Sequence, residues 1–360
     1  MYRTRSFALA LDRPLSTAAG EIDRREGFLI GVDGSPTDVG TDGDGAIRGV
    51  GEATPLPDWT ESAEDCRGTL ASLPDDVAAG YPTDSVPPAL TGTPAAAHGI
   101  QTAVLDQAAR RAGAPLSTLL ADEWFPGHDP PTTVPANATV GDGDVAETVA
   151  AAERAVEAGF GCLKLKVGAR PLADDLDRVR AVLDAVDADV RLDANAAWDR
   201  ETAGRALDEL AAAAVAYVEQ PLPPDDLDGL AALRGRGVDV AVDESLVAAG
   251  VDAVLAAGAA DVAICKPMAL GGPGTAAQVA ATLREAGVEP VVTTTIDGAV
   301  ARAAATHVAA AVPDVAPCGL ATADLLAEDL LPDPAPIEDG RVRVPAGPGV
   351  CGDAADELLW

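Results

Sequence analysis

The segment Cys162-Leu163-Lys164-Leu165-Lys166-Val167-Gly168 decides the fold, and it contains two of the only three lysines in a chain of 360 residues. The third lysine is Lys266, and the other 22 of the 25 basic residues are arginine. Arginine stays protonated at any useful pH, whereas a lysine amine can lose its proton and act as a base. The confinement of lysine to two short segments therefore indicates that proton chemistry, rather than surface charge, requires it.

Short β-rich pieces alternate with alanine-rich helical stretches from Pro135 onward. The helical stretches include Val145–Ala158, Ala276–Ala286 and Ala299–Ala311. Eight pieces separated by about 22 to 28 residues predict a (β/α)8 barrel. An open doubly wound sheet is the runner-up, but no Gly-x-Gly-x-x-Gly follows the first strand. The predicted strands lie near 134–140, 162–167, 189–193, 216–220, 239–243, 261–266, 290–295 and 314–318.

The first part of the chain has a different pattern and predicts an α+β module. Phe7–Leu11 and Gly27–Val32 are predicted strands that flank a polar loop, and Ala46–Glu52 is a third extended piece. A helical pattern follows from about Ala95 to Ala112. We therefore expect an α+β capping domain over 1–130, the barrel over 131–325, and a C-terminal segment over 326–360 that packs back on the capping domain.

Charged side chains stand at the ends of successive predicted barrel strands. After Lys166 come Asp193, Glu219, Asp243 and Lys266, in steps of 27, 26, 24 and 23 residues. Active sites of such barrels lie at the C-terminal strand ends. Because side chains two apart on a strand share a face, Lys164 and Lys166 both point into the barrel mouth, and so do Asp193 and Asn195.

Three carboxylates from neighbouring strands favour a hard divalent cation. Mg2+ prefers oxygen ligands and keeps positions open for water or substrate, and Mn2+ is an alternative ion. One such acidic residue alone would be read as a helix cap or a surface charge. Three at successive strand ends, beside the only three lysines, predict a metal site formed by Asp193, Glu219 and Asp243.

Lysine beside a metal ion suits the removal of a proton next to a carboxylate. The resulting enediolate concentrates negative charge, which a divalent ion stabilises. A lysine near another cation has a lowered pKa and can accept the proton. Lys164 and the metal would both act on Lys166 in this way, and Lys266 would be a second acid or base or a fixed cation.

The motifs together resemble the enolase superfamily, in its muconate-lactonising subgroup, over nearly the whole chain. The resemblance implies a modified (β/α)8 TIM barrel with an N-terminal α+β capping domain completed by the C-terminal tail. It implies that Asp193, Glu219 and Asp243 bind the metal and that Lys166 is the base, with Lys164 beside it. It also implies that Asn195 and Glu244 lie behind these groups and support them. The matching motifs are Lys164-Leu165-Lys166, Asp193-Ala194-Asn195, Glu219-Gln220-Pro221, Asp243-Glu244-Ser245 and Lys266.

The capping segment Gly51–Ser62 resembles a loop of o-succinylbenzoate synthases, apart from Asp58, where that family commonly has Gly. The resemblance implies a carbon–oxygen lyase of menaquinone biosynthesis that dehydrates 2-succinyl-6-hydroxy-2,4-cyclohexadiene-1-carboxylate through α-proton abstraction and a metal-stabilised enediolate. The predicted substrate contacts are Trp59, Thr294, Thr295, Asp297 and Gly298. Asp297 and Gly298 replace the Glu and Ser of that family.

Other activities remain open at this point. An N-acylamino acid racemase or dipeptide epimerase would exchange protons through Lys166 and Lys266 on opposite faces of the α-carbon. A muconate cycloisomerase would form a lactone, and a catalytically silent barrel would serve as a binding module.

Composition limits the partners. The formal net charge of -33 argues against nucleic acid, whose phosphates would be repelled. The spread of acidic residues is typical of a protein from a high-salt cytoplasm, and screening of self-repulsion should make the fold salt-dependent. Five scattered cysteines favour a reduced, cytoplasmic location, and neither a signal peptide nor a membrane span is predicted. We expect a small-molecule carboxylate substrate, and a homo-oligomer remains open.

Overall fold

The computed structural model describes residues 2–17, 20–33, 48–78, 80–82 and 84–358. Its first part is an antiparallel three-stranded sheet, in the order β1-β2-β3, covered by helices. The elements are β1 (Tyr2–Thr17), β2 (Gly20–Val32), β3 (Gly49–Ala53), α1 (Ala63–Ser72), α2 (Pro94–Ala112) and α3 (Leu116–Trp124).

The prediction of a polar loop between the first two strands is wrong. β1 and β2 pair from Tyr2 with Val32 to Thr17 with Gly20, so most of that polar stretch is a long hairpin. Polar residues are compatible with a ribbon that extends beyond the helices, because such a ribbon has solvent on both faces. The third strand begins at Gly49, and the earlier part of its predicted range, 46–47, lies outside the described residues.

Seven parallel strands in the order β11-β10-β9-β8-β7-β6-β5 form the main sheet, with helices between them. The strands are β5 (Ala138–Val140), β6 (Cys162–Lys166), β7 (Asp189–Asp193), β8 (Val215–Glu219), β9 (Asp239–Val242), β10 (Val262–Cys265) and β11 (Glu289–Val292). The helices are α4 (Val145–Glu157), α5 (Leu172–Ala185), α6 (Arg200–Leu210), α7 (Leu227–Leu233), α8 (Glu244–Ala249), α9 (Val251–Ala257), α10 (Pro267–Leu270), α11 (Pro273–Glu285) and α12 (Ala299–Ala311). The predicted barrel is confirmed in its modified form.

Two predicted barrel strands differ from the structure. The piece 134–140 divides into β4 (Thr133–Pro135), which pairs antiparallel with β13 (Arg341–Arg343) of the tail, and β5. The expected eighth strand, 314–318, is reduced to isolated bridges of Cys318 with Ala136 and of Gly319 with Thr293. The two bridges, to Ala136 and Thr293, close the ring in place of a regular strand.

Alternation along each strand separates an apolar layer from a charged one. On β6, Leu163 and Leu165 pack against the helices, while Lys164 and Lys166 face the barrel interior. Lower in the barrel, side chains from four strands form an apolar plug, which consists of Tyr217, Ala241, Val262, Ile264 and Val291. Three of these residues stand two positions before a charged residue at the mouth, so the plug excludes water from beneath the site.

The tail joins the capping helices to the barrel. Val350 N–H donates to Asp106 on α2, and the Gly349 backbone forms a bridge with Pro115. β12 (Ile337–Glu338) completes the third sheet, in the order β12-β13-β4. Short 3-10 turns lie at Pro88–Leu90, Ala323–Leu325 and Gly352–Leu358. These contacts agree with a tail that packs back on the cap, and the boundaries at 130 and 325 stay a prediction. Within the described residues, no helix is long and apolar enough to cross a bilayer.

His307 connects α12 to this tail. Ser117 N–H donates to His307 Nδ1 over 3.2 Å, so His307 Nε2–H must donate to the carbonyl of Val350 at 2.8 Å. The side chain is fully buried, and desolvation lowers the pKa of His307 from 6.5 to about 4. It is thus a structural residue on a helix whose thirteen residues are all buried.

We expect His307→Gln to change how stability depends on pH. Below pH 6.5 this histidine is protonated in the unfolded chain, whereas in the folded chain it stays neutral down to about pH 4. The free energy of unfolding therefore falls as the pH falls through this window. Between pH 7 and 5 the wild type should lose about 2 kcal/mol more than the variant, from 1.36 kcal/mol per pKa unit. Urea unfolding in molar KCl at both pH values measures this difference. Parallel pH profiles of the two proteins would contradict it.

Candidate active site at the barrel mouth

Strand register brings the predicted charged residues side by side. Lys166 pairs with Asp193 across β6 and β7, and Asp193 pairs with Glu219 across β7 and β8. Ala241 lies opposite Glu219, which places Asp243 two residues further on, at the end of β9. Lys266 directly follows β10. Residues separated by as much as 102 positions in the sequence therefore face one cavity at the C-terminal ends of parallel strands.

The amine of each lysine forms an ion pair with at least one carboxylate. Lys164 Nζ lies 3.0 Å from Asp193 Oδ2 and 2.9 Å from Glu219 Oε1. Lys166 Nζ lies 2.7 Å from the same Asp193 oxygen and 2.7 Å from Asn195 Oδ1. On the other side of the mouth, Lys266 Nζ lies 2.6 Å from Asp243 Oδ2. The structure thus brings together all three lysines and all three predicted ligands.

Burial and charge perturb these groups strongly. Desolvation and the neighbouring Asp193 raise the pKa of Glu219 to about 8. Desolvation also raises the pKa of Asp243. Burial opposes charge on Asp193, but the ammonium groups of Lys164 and Lys166 outweigh it and hold the pKa of Asp193 well below its usual value. The same carboxylates raise the pKa of Lys164 well above its usual value, although burial acts in the opposite direction.

Three buried carboxylate oxygens at the mouth have no hydrogen-bond partner among the described residues: Glu219 Oε2, Asp243 Oδ1 and Glu244 Oε2. Buried oxygens of this kind are costly unless a proton or cation compensates them. Two predicted ligands, Glu219 and Asp243, thus have spare oxygens of the kind that Mg2+ prefers, and so does Glu244, whereas both oxygens of Asp193 accept hydrogen bonds. The carboxylates present fit the ion in their chemistry. In the described part of the chain, no three His, Cys, Asp or Glu side chains already form a metal cluster. The ligand assignment therefore stays a prediction.

Asn195 and Glu244 lie beside the predicted ligands. Asn195 N–H donates to Asp193 Oδ1 at 3.1 Å, and its side chain accepts from Lys166. Its amide also reaches Glu244 Oε1 at 3.5 Å, at the limit of a hydrogen bond. Both residues thus lie next to the predicted ligands, and their supporting role stays a prediction.

Sequence reasoning missed the role of Gln220. Its Oε1 accepts from the backbone N–H groups of Asp243 and Ser245, and its Nε2 donates to Ser245 Oγ. The side chain is fully buried and ties the end of β8 to the end of β9, which fixes Asp243. Its position between Glu219 and Pro221, after a strand, was the available signal.

The capping loop reaches the mouth through Trp59. Lys266 Nζ lies 3.1 Å from the centroid of the Trp59 ring, a cation–π contact. Asp58, just before it, has φ 76, a left-handed conformation that Gly adopts at no cost and Asp tolerates. This backbone explains why a Gly is common at that position in the similar loop.

The residues predicted at the end of the seventh strand divide into two groups. Thr294 Oγ1 lies 3.0 Å from Thr322 Oγ1, next to the mouth. Asp297 is buried, and both of its carboxylate oxygens accept from Thr295, through its N–H and its hydroxyl. Gly298 N–H donates to Glu52 Oε1 from the cap at 2.7 Å. Asp297 and Gly298 thus have their polar groups engaged within the protein, and their contact with substrate stays a prediction.

Residues 147–357 match the family model described as enolase C-terminal domain-like. Chloromuconate cycloisomerase of Pseudomonas putida is 31% identical over 331 residues, which cover 88% of each chain. Two solved structures superpose over nearly the full length. The L-Ala-D/L-Glu epimerase of Bacillus subtilis, in a substrate-liganded complex, has a TM-score of 0.84 and 26% identity, covering 98% of this chain and 97% of that one. The dipeptide epimerase of Methylococcus capsulatus, complexed with Mg and L-Arg-D-Lys, has a TM-score of 0.80 and 27% identity, covering 98% of both.

We expect Mg2+ to stabilise the protein through the unpartnered oxygens. At a concentration 100 times its Kd, it should raise the free energy of unfolding by about 2.7 kcal/mol. In Glu219→Gln, that gain should largely disappear, because Glu219 Oε2 is one of the unpartnered oxygens. Chemical denaturation in molar KCl, with and without Mg2+, measures both effects.

Glu209→Gln is the matched control, because Glu209 is an exposed carboxylate that forms a surface ion pair with Arg180. It reports any general screening of the acidic surface by Mg2+. An equal gain in wild type and Glu219→Gln would contradict the predicted site.

Proposed function

The chain belongs to the enolase superfamily, in its muconate-lactonising subgroup, and on that premise we propose that it is a metal-dependent o-succinylbenzoate synthase. The observation that carries the proposal is the position of the Lys166 amine, 2.7 Å from Asp193 Oδ2. Asp193 pairs in register with Lys166 on one side and Glu219 on the other, and Lys164 binds both carboxylates. This arrangement puts a base beside the group that would bind a substrate carboxylate. Superfamily members bind Mg2+, and when bound, the ion supplies positive charge where the substrate carboxylate gains negative charge.

Lys166 would perform both proton transfers of the dehydration. Its neutral amine takes the proton from the ring carbon that carries the carboxylate. The protonated amine then donates to the hydroxyl group on the adjacent carbon, the carbon–oxygen bond breaks, and water leaves as the ring becomes aromatic. The only covalent products are o-succinylbenzoate and water. Asn195, which accepts from Lys166 Nζ at 2.7 Å, orients the amine for these transfers.

The surroundings of Lys266 support a fixed cation rather than a second base. Its ammonium group lies between Asp243 Oδ2 at 2.6 Å and the face of Trp59. The electron-rich face of the indole ring attracts a cation at this position. A cation held on this side of the mouth would stabilise negative charge that spreads through the ring of the intermediate.

The end of β11 supports a substrate without an ammonium group. Recognition of the amine of a dipeptide calls for a carboxylate that is exposed to the cavity, whereas Asp297 is 2% exposed and accepts from Thr295 through both oxygens. Thr294 and Thr322 offer hydroxyl groups, which suit a carboxylate or carbonyl. This chemistry fits the succinyl side chain of the proposed substrate.

A racemase of N-acylamino acids is the second candidate. Lys166 and Lys266 stand on opposite sides of the carboxylates, as exchange of an α-proton between two faces requires. Acylated amino acids carry no ammonium group, so Asp297 does not argue against them. Two of the similar solved structures are of dipeptide epimerases, which supports exchange of an α-proton but not the acylated substrate class.

Three substrates separate the candidate reactions. With Mg2+ in molar KCl, the purified protein should convert 2-succinyl-6-hydroxy-2,4-cyclohexadiene-1-carboxylate to o-succinylbenzoate. The change in ultraviolet absorbance measures this conversion. N-succinylamino acids in D2O report racemisation by loss of the α-proton signal, and muconate reports lactone formation. Turnover of N-succinylamino acids or muconate alone would overturn the proposed assignment.

Lysine-to-arginine variants distinguish one base from two. Lys166→Arg should lower kcat for dehydration by about 10^3-fold or more, because arginine cannot act as the base. Lys266→Arg keeps the positive charge and should stay within about 10-fold of wild type, since a fixed cation contributes through charge alone. The Mg2+-dependent gain in stability of each variant provides the control for site integrity. Equal loss in both variants would favour the two-base racemase.

A further inference from the structure

Arg25, on β2 of the cap, is buried with 3% of its surface exposed. All three of its nitrogens donate to backbone carbonyls from two separate loops. Nη1 donates to Pro55 O at 3.1 Å and Nη2 to Thr54 O at 2.9 Å, both in the capping loop 51–62. Nε donates to Ile296 O at 3.1 Å, in the turn 293–298 that follows β11.

We propose that Arg25 is a positioning residue that holds the capping loop and the turn 293–298 in one fixed relation and thereby places Trp59 over Lys266. The inference rests on the proposed function in one respect, namely that substrate binds between these two loops. Arg25 itself contacts neither Lys266 nor the predicted metal ligands among its hydrogen-bond partners.

The turn needs an external partner. Ile296 has φ 61, and a β-branched residue in the left-handed region is strained. Such a conformation persists only where the surroundings hold it. Arg25 holds the carbonyl of Ile296, and Arg302 Nη1 donates to the next carbonyl, that of Asp297, at 3.3 Å. Thr294 and Thr295 lie in the same turn, directly before this residue.

Two buried carboxylates, Glu52 and Asp297, lie at the same junction as Arg25. Glu52 is fully buried, accepts from Gly298 N–H and Ala301 N–H, and lies near Asp297. Burial and Asp297 together raise the pKa of Glu52 to about 7. The guanidinium of Arg25 interacts with both carboxylates, and it is therefore part of the same cap-to-barrel junction.

The hydrogen bond from Arg25 to Pro55 also restrains Trp59, because the loop between these two residues is stiff. Trp59 N–H and Thr60 N–H both donate to Leu56 O, at 3.0 and 2.8 Å, and Leu56 N–H donates to Thr60 Oγ1. Prolines at 55 and 57 fix two φ angles. A shift of the loop at residues 54–55 would therefore move the Trp59 ring relative to Lys266.

The first test reads the position of Trp59 without any substrate. The chain has four tryptophans, so the protein labelled with 5-fluorotryptophan gives four 19F resonances, and the Trp59 signal is assigned with Trp59→Phe. Arg25→Met should shift or broaden the Trp59 signal and leave at least two of the other three in place. Arg25→Lys, which keeps the charge opposite Glu52 and Asp297 but not all three bonds, should fold and give a smaller shift.

Arg110→Met is the matched control. Arg110 is a cap residue that binds Asp106 and the Gly352 carbonyl, away from the mouth, so its loss should destabilise the fold without moving Trp59. A Trp59 resonance unchanged in both Arg25 variants would overturn the proposal, as would an equal shift in Arg110→Met.

The second test uses whichever substrate the wild type converts. Arg25→Met should lower kcat/KM by about 10- to 100-fold, the scale expected for misplacement of loops by about 1 Å, while the Mg2+-dependent gain in stability stays unchanged. Arg25→Lys should recover part of the loss, and Arg110→Met should match the wild type. If the wild type converts no substrate, the proposed function fails, and the fluorine spectra still decide the role of Arg25. Wild-type kcat/KM in folded Arg25→Met would overturn it.

Discussion

Compensation between three buried carboxylates and three lysines is the constraint on which the barrel mouth depends. Asp193, Glu219 and Asp243 are each 1–2% exposed, and a buried carboxylate without a partner is strongly destabilising. The pairing is uneven, because two ammonium groups bind one oxygen of Asp193 while Glu219 Oε2 and Asp243 Oδ1 receive none. The site therefore leaves two carboxylate oxygens without a donor in the place where the predicted dication would bind.

The rest of the barrel allows these charges to be held at such low exposure. On β8, β9 and β10, the side chains two positions before Glu219, Asp243 and Lys266 belong to the apolar plug. Gln220 fixes the backbone of Asp243 through a buried hydrogen bond. On these strands the two-residue period thus produces both the apolar floor and the charged mouth, and a shift of one residue would exchange them.

The sequence was informative wherever a local pattern carried the structure. Three local features predicted the parallel sheet and the residues that face the mouth. They are the two-residue period of the strands, the spacing of charged residues by about one strand–helix unit, and the rarity of lysine. It was uninformative where distant backbone groups meet. Nothing near residue 25 indicates that Arg25 donates to a carbonyl 271 positions away, and nothing near Glu52 indicates that it binds the start of α12. The eighth strand failed for a related reason, because its closure depends on Ala136 and Thr293 rather than on its own residues.

The charged layer and the predicted substrate contacts are positioned by different parts of the structure. The predicted base and the predicted metal ligands lie on adjacent strands, whose register brings their side chains within hydrogen-bond distance of the lysines. The predicted substrate contacts Thr294 and Asp297 instead lie at the junction of cap and barrel, where Glu52, Arg25 and Arg302 bind the backbone of one strained turn. On the proposed role of Arg25, changes at that junction would alter substrate fit without disturbing the lysine–carboxylate layer. Such a division is compatible with cycloisomerase, epimerase and dehydratase chemistry on one fold, and we expect the junction rather than the strand ends to distinguish them.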